Sequence, residues 1–281
     1  MNADGALDFG QAILLAIIQG ITELFPVSSL GHAVLLPHLL GWNVDQESGA
    51  YLPFLVMLHL GTAIALLLFF WREWLSLFGA LVRHGPSDEA RTQRRLLLLL
   101  VIGTIPAGLI GLIFEKRLAG FFADFRFAAG FLIVNGVILL AGEWLRLRAR
   151  NRKLDQVRPW QAAAIGTAQA IALLPGLSRS GATMVGGLAV GLSHAAAARF
   201  SFLLATPIIG AAALLELPKF ARSDVRQSLG PALAGGIVAG VLAYLSTAFL
   251  MRYFRQNELN ALVPFGVYCL IVGSLGLFIG H

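Results

Sequence analysis

Four polar residues stand in the apolar sequence where their types could do chemistry: Glu23, Ser29, His32 and Arg179. A charged side chain at membrane depth costs roughly 2.5–3.5 kcal/mol on insertion scales, so Glu23 and Arg179 are functional candidates by default. A hydroxyl nucleophile, a group that removes its proton and a guanidinium that binds an anion are together typical of phosphoryl transfer. The alternative is that Glu23 and Arg179 form only a structural ion pair.

The first three of these residues lie in the segment QGITELFPVSSLGH, which begins at Gln19 and ends at His32. Gln19 and Glu23 are four apart, so in a helix they share one face. Gln19 can orient the carboxylate, help to hold the hydration shell of a cation, or only satisfy backbone groups. His32 lies within one turn of Ser29, where it can act as base toward the hydroxyl or as acid toward a leaving oxygen; a merely packed His32 is the alternative. The other histidines lack such neighbours and are interpreted as background: His38, His59, His84, His194 and His281.

The second segment, QAIALLPGLSRSGAT, begins at Gln169 and ends at Thr183. In both segments a Ser/Gly turn leads into a short apolar helix, whose N-terminus presents free N–H groups and the positive end of the dipole. Such a turn binds phosphate, and Arg179 adds a planar fork for a bidentate contact. The alternative is that the serines only cap the helices. The predicted phosphate-binding residues are Ser28, Gly31, Ser178, Arg179, Ser180, Gly181 and Thr183.

The two segments are copies of one pattern, related by a shift of 150 positions that gives eight identities over 31 aligned positions without a gap. Polar positions are among the identities, since Gln19 falls on Gln169 and Ser28 falls on Ser178. A repeated, broken, polar segment inside apolar sequence is typical of membrane proteins that build a site near the midplane of the bilayer.

Composition places the whole chain in a membrane. Of its 281 residues 57% are hydrophobic and 13% are charged, whereas a soluble domain carries about 25% charged residues. Two apolar regions, 11–41 and 160–192, are broken by proline and a Ser/Gly tip into halves too short to span, which predicts re-entrant helix pairs. Six unbroken runs are long enough to span a bilayer, at about 51–70, 95–114, 125–145, 199–217, 231–251 and 262–280.

The sequence therefore predicts an all-α polytopic membrane protein with six transmembrane helices plus two re-entrant helix pairs. The chain is expected to be a single integral-membrane domain over 1–281, with a first repeat over 11–145 and a second repeat over 160–280. Because each repeat has three spans, the second is inverted relative to the first, and the two tips meet from opposite sides.

The basic residues predict the orientation of the chain. Of the 21 Lys and Arg residues, 14 lie on the side away from the termini, six lie on the side of the termini, and Arg179 lies inside the membrane. By the positive-inside rule the side with 14 basic residues is cytoplasmic. Both termini are therefore outside. The net charge of +6 reports this topology rather than a nucleic-acid partner.

At these residues the chain resembles the bacitracin-resistance family of undecaprenyl-diphosphate phosphatases. The resemblance rests on the 19–23 segment, on the Pro-Val-Ser-Ser-Leu-Gly-His tip over 26–32, and on the Pro-Gly-Leu-Ser-Arg-Ser-Gly-Ala-Thr tip over 175–183. Gln19 stands where many members have Glu, which removes one carboxylate from a metal site formed by two acids.

The resemblance implies an integral enzyme of the bacterial cytoplasmic (inner) membrane that removes the terminal phosphate of undecaprenyl diphosphate. It implies that the enzyme recycles the lipid carrier of cell-wall synthesis, and that high activity confers resistance to bacitracin. It also implies dependence on a divalent cation, Mg²⁺ or Ca²⁺, for which Glu23 and Gln19 are the candidate ligands. The expected partners are the lipid diphosphate and the bilayer, without nucleic acid, and a homodimer is compatible with the sequence.

In the predicted mechanism Ser29 attacks the distal phosphorus, and Glu23 or His32 takes its proton. Arg179 and the N–H groups of both tips hold the charge on the equatorial oxygens. Attack by His32, and direct attack by an activated water, stay open as alternatives. The alternative function is a transporter or flippase for a phosphorylated lipid, because inverted repeats with broken helices also suit alternating access.

Overall fold

The computed structural model describes residues 7–42, 44, 51–82, 87–119, 124–146, 152–216 and 229–279. Within these ranges the chain is helical and contains no strand, apart from one isolated bridge between Arg152 and Leu192. A short 3-10 turn at Leu154–Gln156 precedes the second broken segment. The helices in chain order are α1 (Phe9–Thr22), α2 (Ser29–Leu39), α3 (Tyr51–Phe69), α4 (Trp71–Val82), α5 (Asp88–Ala119), α6 (Phe125–Arg146), α7 (Pro159–Ile171), α8 (Arg179–Ala189), α9 (His194–Glu216), α10 (Leu229–Gln256) and α11 (Val263–Ile279).

Four of the helices in the described residues are long and apolar enough to cross a membrane, namely α5, α6, α9 and α10. A fifth candidate span requires α3 and α4 together, because the chain bends by 71° between Pro53–Phe69 and Trp71–Val82. α11 is apolar but has 17 residues, which is shorter than the ~20 residues of a typical span. These helices confirm the prediction of an all-α polytopic membrane protein.

Helix α4 was not predicted from the sequence. Its buried residues Trp74, Leu77 and Ala80 recur at a spacing of three and form one apolar face. Arg199 of α9 fixes the helix through a bidentate ion pair with Glu73, in which the shortest N–O distance is 2.6 Å. The bend after α3 therefore places a short amphipathic helix beside α5 instead of continuing the span, with the ion pair as its link to α9.

The two broken segments have corresponding bounds. α1 and α2 are separated by a break at 23–28, and α7 and α8 by a break at 172–178. α2 and α8 both have 11 residues, and their first and last residues differ by 150 positions, the shift that aligns the two sequences. The shift of 150 positions found in the sequence thus also relates the ends of these two helices in the structure.

The serine before each of these two helices acts as its N-cap. Ser28 Oγ accepts the N–H of Gly31, and Ser178 Oγ accepts the N–H of Gly181, with donor–acceptor distances of 3.1 Å in both cases. Each cap satisfies one of the free N–H groups of the first helical turn, and this local bond explains why the helices begin where they do.

Glycines allow the helices around the broken segments to approach closely. A Cβ atom on Gly61 of α3 would lie 1.9 Å from the carbonyl O of Gly236 of α10, and one on Gly166 of α7 would lie 2.2 Å from the carbonyl O of Gly103 of α5. Small residues at such crossings let the backbones of membrane helices approach closely and so increase their packing contacts. These contacts fix α3 and α7, two of the helices beside the tips.

Candidate active site

Glu23 is the centre of a polar cluster that both tips form. It follows α1 directly, and its side chain is 6% exposed. Gln19 Nε2, one turn earlier in α1, donates to Glu23 Oε2 at 3.1 Å, and the Ser29 hydroxyl at the start of α2 donates to the same oxygen at 2.5 Å. Arg179 Nη2, at the start of α8, donates to Glu23 Oε1 at 3.0 Å. The structure therefore brings four of the predicted site residues into direct contact.

Arg179 uses only part of its guanidinium for this ion pair. Its Nε and Nη1 atoms are buried and have no hydrogen-bond partner among the described residues, while the side chain as a whole is 15% exposed. An unsatisfied buried donor costs about 1–3 kcal/mol, and more when it is charged. The unpaired N–H groups of Arg179 are therefore suited to bind an anion, and a phosphate oxygen is a strong acceptor for them.

His32 is directed away from Ser29. Its Nδ1 lies 2.6 Å from the carbonyl O of Ser28, and its Nε2 lies 2.8 Å from the hydroxyl of Tyr268, on whose ring it stacks. A carbonyl only accepts, so Nδ1 carries the proton and Nε2 of the neutral ring accepts from Tyr268. The proton acceptor in contact with the Ser29 hydroxyl is therefore Glu23.

Ser28 has an unusual backbone conformation at the entrance to α2. Its φ is +68°, a left-handed value that non-glycine residues rarely adopt, whereas Ser178 at the corresponding place has an ordinary φ of −91°. Such strain costs on the order of 1–3 kcal/mol and is concentrated at functional sites. The strained tip is thus the one that carries the candidate nucleophile and base.

The hydroxyls of the second tip bind to the protein itself. Ser178 Oγ and Ser180 Oγ are 3.0 Å apart, and Ser180 Oγ donates to the carbonyl O of Phe25 in the first tip at 3.1 Å. Thr183 Oγ1 lies 2.5 Å from Ser201 Oγ of α9. The donors left on this side for an anion are the guanidinium and the first-turn N–H groups of α8 other than that of Gly181, which Ser178 caps.

Asn135 of α6 joins the two tips. Its Oδ1 accepts the N–H of Ser178, and its Nδ2 donates to the carbonyl O of Pro26, both at 2.9 Å. The tips also touch directly, because a Cβ on Gly31 would lie 3.1 Å from the Cα of Gly176. The hydrogen bonds of the Asn135 side chain and the close backbone approach at Gly31 thus hold the two broken segments together.

Three side chains of this cluster were not predicted from the sequence, namely His59, Asn135 and Tyr268. The interpretation of His59 as background is wrong, because its Nε2 lies 3.3 Å from Oε2 of Glu23. His59 and Asn135 both stand inside apolar runs, where a polar residue is functional by default, so the sequence did contain a signal for them. Tyr268 gives no such signal, because tyrosine is common at membrane interfaces.

Two oxygen-bearing side chains could contribute to a cation site. Mg²⁺ and Ca²⁺ take oxygen ligands, and Gln19 Oε1 is buried without a hydrogen-bond partner among the described residues. Glu23 is already contacted by four side chains, and the part of the chain that the structure describes contains no group of three or more His, Cys, Asp or Glu suited to a metal. Gln19 and Glu23 therefore fit a cation that is also bound by the phosphate oxygens of a ligand, as Mg²⁺ often is.

Comparison with known proteins gives matches along almost the whole chain. The family model described as bacitracin resistance protein BacA matches residues 12–275. A protein named undecaprenyl-diphosphatase from Acidiphilium cryptum is 52% identical over 272 residues, which cover 95% of this chain and 96% of the relative. Undecaprenyl-diphosphatase 2 from Chromobacterium violaceum is 52% identical over 268 residues, with coverages of 95% and 97%. An undecaprenyl-diphosphatase from Granulibacter bethesdensis is 50% identical over 276 residues, or 94% of each chain.

Proposed function

The chain belongs to the bacitracin resistance protein BacA family, and we propose that it hydrolyses undecaprenyl diphosphate to undecaprenyl phosphate and inorganic phosphate. This is the activity named for relatives that share about half of its residues over nearly their whole length. The observation that carries the proposal is the contact of Arg179 and Ser29 with one carboxylate, Glu23, which unites an anion-binding group, a hydroxyl and its proton acceptor. The reaction recycles the lipid carrier of bacterial cell-wall synthesis and opposes bacitracin, which sequesters the diphosphate.

Ser29 supplies the nucleophile. Its oxygen forms a bond to the distal phosphorus while the bond from that phosphorus to the bridging oxygen breaks, and undecaprenyl phosphate leaves with the electron pair. The proton of Ser29 passes to Glu23 Oε2, to which the hydroxyl already donates. The unpaired N–H groups of Arg179 and the first-turn N–H groups of α2 and α8 hold the charge on the equatorial oxygens.

Water completes the cycle. The proton moves from Glu23 to the leaving phosphate, and His32, whose Nε2 is an acceptor on the partly exposed side of the tip, is assigned to that transfer. Glu23 is then a carboxylate again when water attacks the phosphoserine. The proton of the water passes through Glu23 to the Ser29 oxygen as the phosphorus–oxygen bond breaks, and inorganic phosphate is released.

The remaining predicted residues support the phosphate and the cation. Ser28, Gly31 and Gly181 shape the two helix entrances through their caps, and Gln19 with Glu23 would hold Mg²⁺ or Ca²⁺ together with the diphosphate. When bound, such a cation neutralises charge on the phosphate oxygens.

The proposed architecture has two inverted repeats, 11–145 and 160–280, within one integral-membrane domain over 1–281. α3, α5, α6, α9, α10 and α11 are the six transmembrane helices, and α1–α2 and α7–α8 are the re-entrant pairs. The matched bounds of α2 and α8, their matched serine caps and the contact between the tips support this arrangement. Association into a homodimer stays a prediction.

The proposed orientation has both termini outside and the loop 146–158 in the cytoplasm. The charge distribution along the sequence carries it, with 14 basic residues against six. Contacts in the described residues support the grouping of these segments on one side of the membrane, because they join segments that the charge count assigns to the same side. These contacts are Arg199 with Glu73, Arg146 with Glu258, and Arg95 with the carbonyl O of Val157.

We expect single cysteines on the two proposed sides of the membrane to differ in labelling. In a Cys269→Ser background, Asn2→Cys should react with an impermeant thiol reagent in intact spheroplasts, and Asn151→Cys should react only after lysis. Cys269 is the one cysteine of the chain, so its removal leaves each introduced thiol as the sole target. Labelling of Asn151→Cys with protection of Asn2→Cys would reverse the orientation.

The proposed reaction is tested with the purified protein in detergent. We expect free phosphate and undecaprenyl phosphate to accumulate from undecaprenyl diphosphate in the presence of Mg²⁺ or Ca²⁺. A transporter or flippase for a phosphorylated lipid would leave the diphosphate intact. The matched control is Glu23→Gln, which keeps the shape of the side chain but removes the proton acceptor and should release phosphate about 10²–10⁴-fold more slowly.

A further inference from the structure

His59 is an ionisable side chain in the middle of the apolar helix α3, and the mechanism above does not use it. Its Nδ1 lies 2.8 Å from the carbonyl O of Leu55, one turn earlier in the same helix, and its Nε2 lies 3.3 Å from Oε2 of Glu23. The side chain is 20% exposed, more than the 6% of its partner Glu23. The ring thus connects the buried carboxylate to a less buried part of the site.

Both ring nitrogens of His59 face oxygens that accept hydrogen bonds. The Leu55 carbonyl accepts only, so Nδ1 carries a proton. If Nε2 carried none, its lone pair would face the carboxylate of Glu23. The contact is favourable when Nε2 is also protonated, which makes the ring a cation that pairs with the carboxylate. The hydrogen bond to the Leu55 carbonyl fixes the orientation of the ring. Nε2 is thereby directed toward Glu23.

The oxygen that His59 contacts is the one that takes part in the chemistry. Oε2 of Glu23 accepts the Ser29 hydroxyl and the Gln19 amide, whereas Arg179 occupies Oε1. His59 and Arg179 therefore act on opposite oxygens of one carboxylate. Without His59, only the neutral donors Gln19 and Ser29 would hold Oε2 against the pull of the guanidinium on Oε1.

Anchoring of α3 does not require this histidine. α3 contacts α10 closely at Gly61, where a Cβ atom would lie 1.9 Å from the carbonyl O of Gly236. Neighbouring side chains Leu58 and Thr62 are fully buried in the protein. The polar contact of His59 is thus additional to the packing that holds the helix.

We propose that His59 is a positioning residue, which holds Oε2 of Glu23 in place to receive the proton of Ser29. The proposal rests on the hydrolase function described above. The ionisable side chains that act on His59 within the described residues are Glu23 and Arg179.

The test compares His59→Ala, His59→Gln and His38→Ala with the wild-type protein in the phosphate-release assay. His59→Ala should lower kcat by about 10–100-fold, the scale of a misplaced catalytic group, and leave KM nearly unchanged. His59→Gln keeps an N–H donor toward Glu23, so it should recover most of kcat. His38 is an exposed histidine of α2 that stacks on Phe125, and its replacement should have no effect.

Each other outcome has a definite meaning. Wild-type kcat in His59→Ala would overturn the inference and leave the hydrolase function intact, whereas absence of phosphate release from the wild type would overturn the function itself. A rise in KM without a fall in kcat would make His59 a substrate contact instead. No recovery of kcat in a His59→Gln variant that elutes and melts as the wild type does would also reject the proposed role.

Discussion

Replacement of Ser29 by alanine is expected to lower kcat by at least about 10³-fold, as losses of catalytic nucleophiles do. The hydroxyl donates to Glu23 Oε2 at 2.5 Å, so its proton acceptor is already in place and no second hydroxyl contacts that carboxylate in the described residues. Alanine removes the attacking oxygen but leaves the backbone N–H groups of α2, so binding of the diphosphate should persist. The measurement is steady-state phosphate release together with binding of the lipid to the variant.

The matched control for this variant is Ser28→Ala. Ser28 is the neighbouring serine, and its hydroxyl accepts the N–H of Gly31 as the cap of α2. Loss of such a cap costs about 1 kcal/mol of stability, so this variant should melt earlier and yet retain much more activity than Ser29→Ala. Equal, mild losses in the two variants would remove Ser29 from the chemistry and favour attack by His32 or by water.

Replacement of Arg179 by lysine is expected to lower kcat/KM by about 10–100-fold or more, although the positive charge is kept. Arg179 donates to Glu23 with Nη2 and keeps Nε and Nη1 for an anion. A lysine ammonium is a single point of charge, so it cannot keep the ion pair and present the same set of donors to phosphate. Phosphate release at several lipid concentrations measures the loss.

The matched control is Arg199→Lys, at the arginine that forms a bidentate ion pair with Glu73. Arg199 pairs with Glu73 between α9 and α4, and its side chain is 42% exposed. The same exchange there should leave kcat/KM unchanged, because this pair lies outside the cluster around Glu23. Near-normal turnover in Arg179→Lys would reduce Arg179 to a structural partner of the carboxylate.

The positions of the broken helices could be predicted because their signals are local. Proline, Ser/Gly turns and serine caps act within a few residues, and the shift of 150 positions relates the ends of α2 and α8 in the structure as it does in the sequence. Helix α4 could not be predicted in the same way. Its apolar face is short, and its ion pair joins Glu73 to Arg199, which lies far along the chain.

The residues of the site could be predicted better than their contacts. Glu23, Ser29 and Arg179 were identified because charges and hydroxyls in apolar sequence are costly, but the sequence did not show that Ser29 is bonded to Glu23 rather than to His32. His59 was dismissed because no polar residue neighbours it in the chain. Its partner is 36 positions away, and only the packing of α3 beside the first tip makes the contact.

His194 was interpreted as background for the same reason, because its partner is distant in the sequence. This residue is fully buried and pairs with Glu143 of α6 at 2.8 Å, away from the cluster around Glu23. Histidines inside apolar helices of this protein are therefore poorly judged from their sequence neighbours. Pairing across helices depends on which faces meet, and the apolar pattern alone does not fix those faces.

The stereochemical course at the transferred phosphorus tests the central claim most directly. A lipid diphosphate whose distal phosphorus is made chiral with oxygen isotopes and sulfur is hydrolysed by the wild-type protein, and the configuration of the released thiophosphate is determined. Attack by Ser29 followed by attack of water gives two in-line displacements, so we expect net retention, and the loss of activity in Ser29→Ala assigns the covalent step to this serine rather than to His32. Net inversion would show a single displacement by water and would contradict the account.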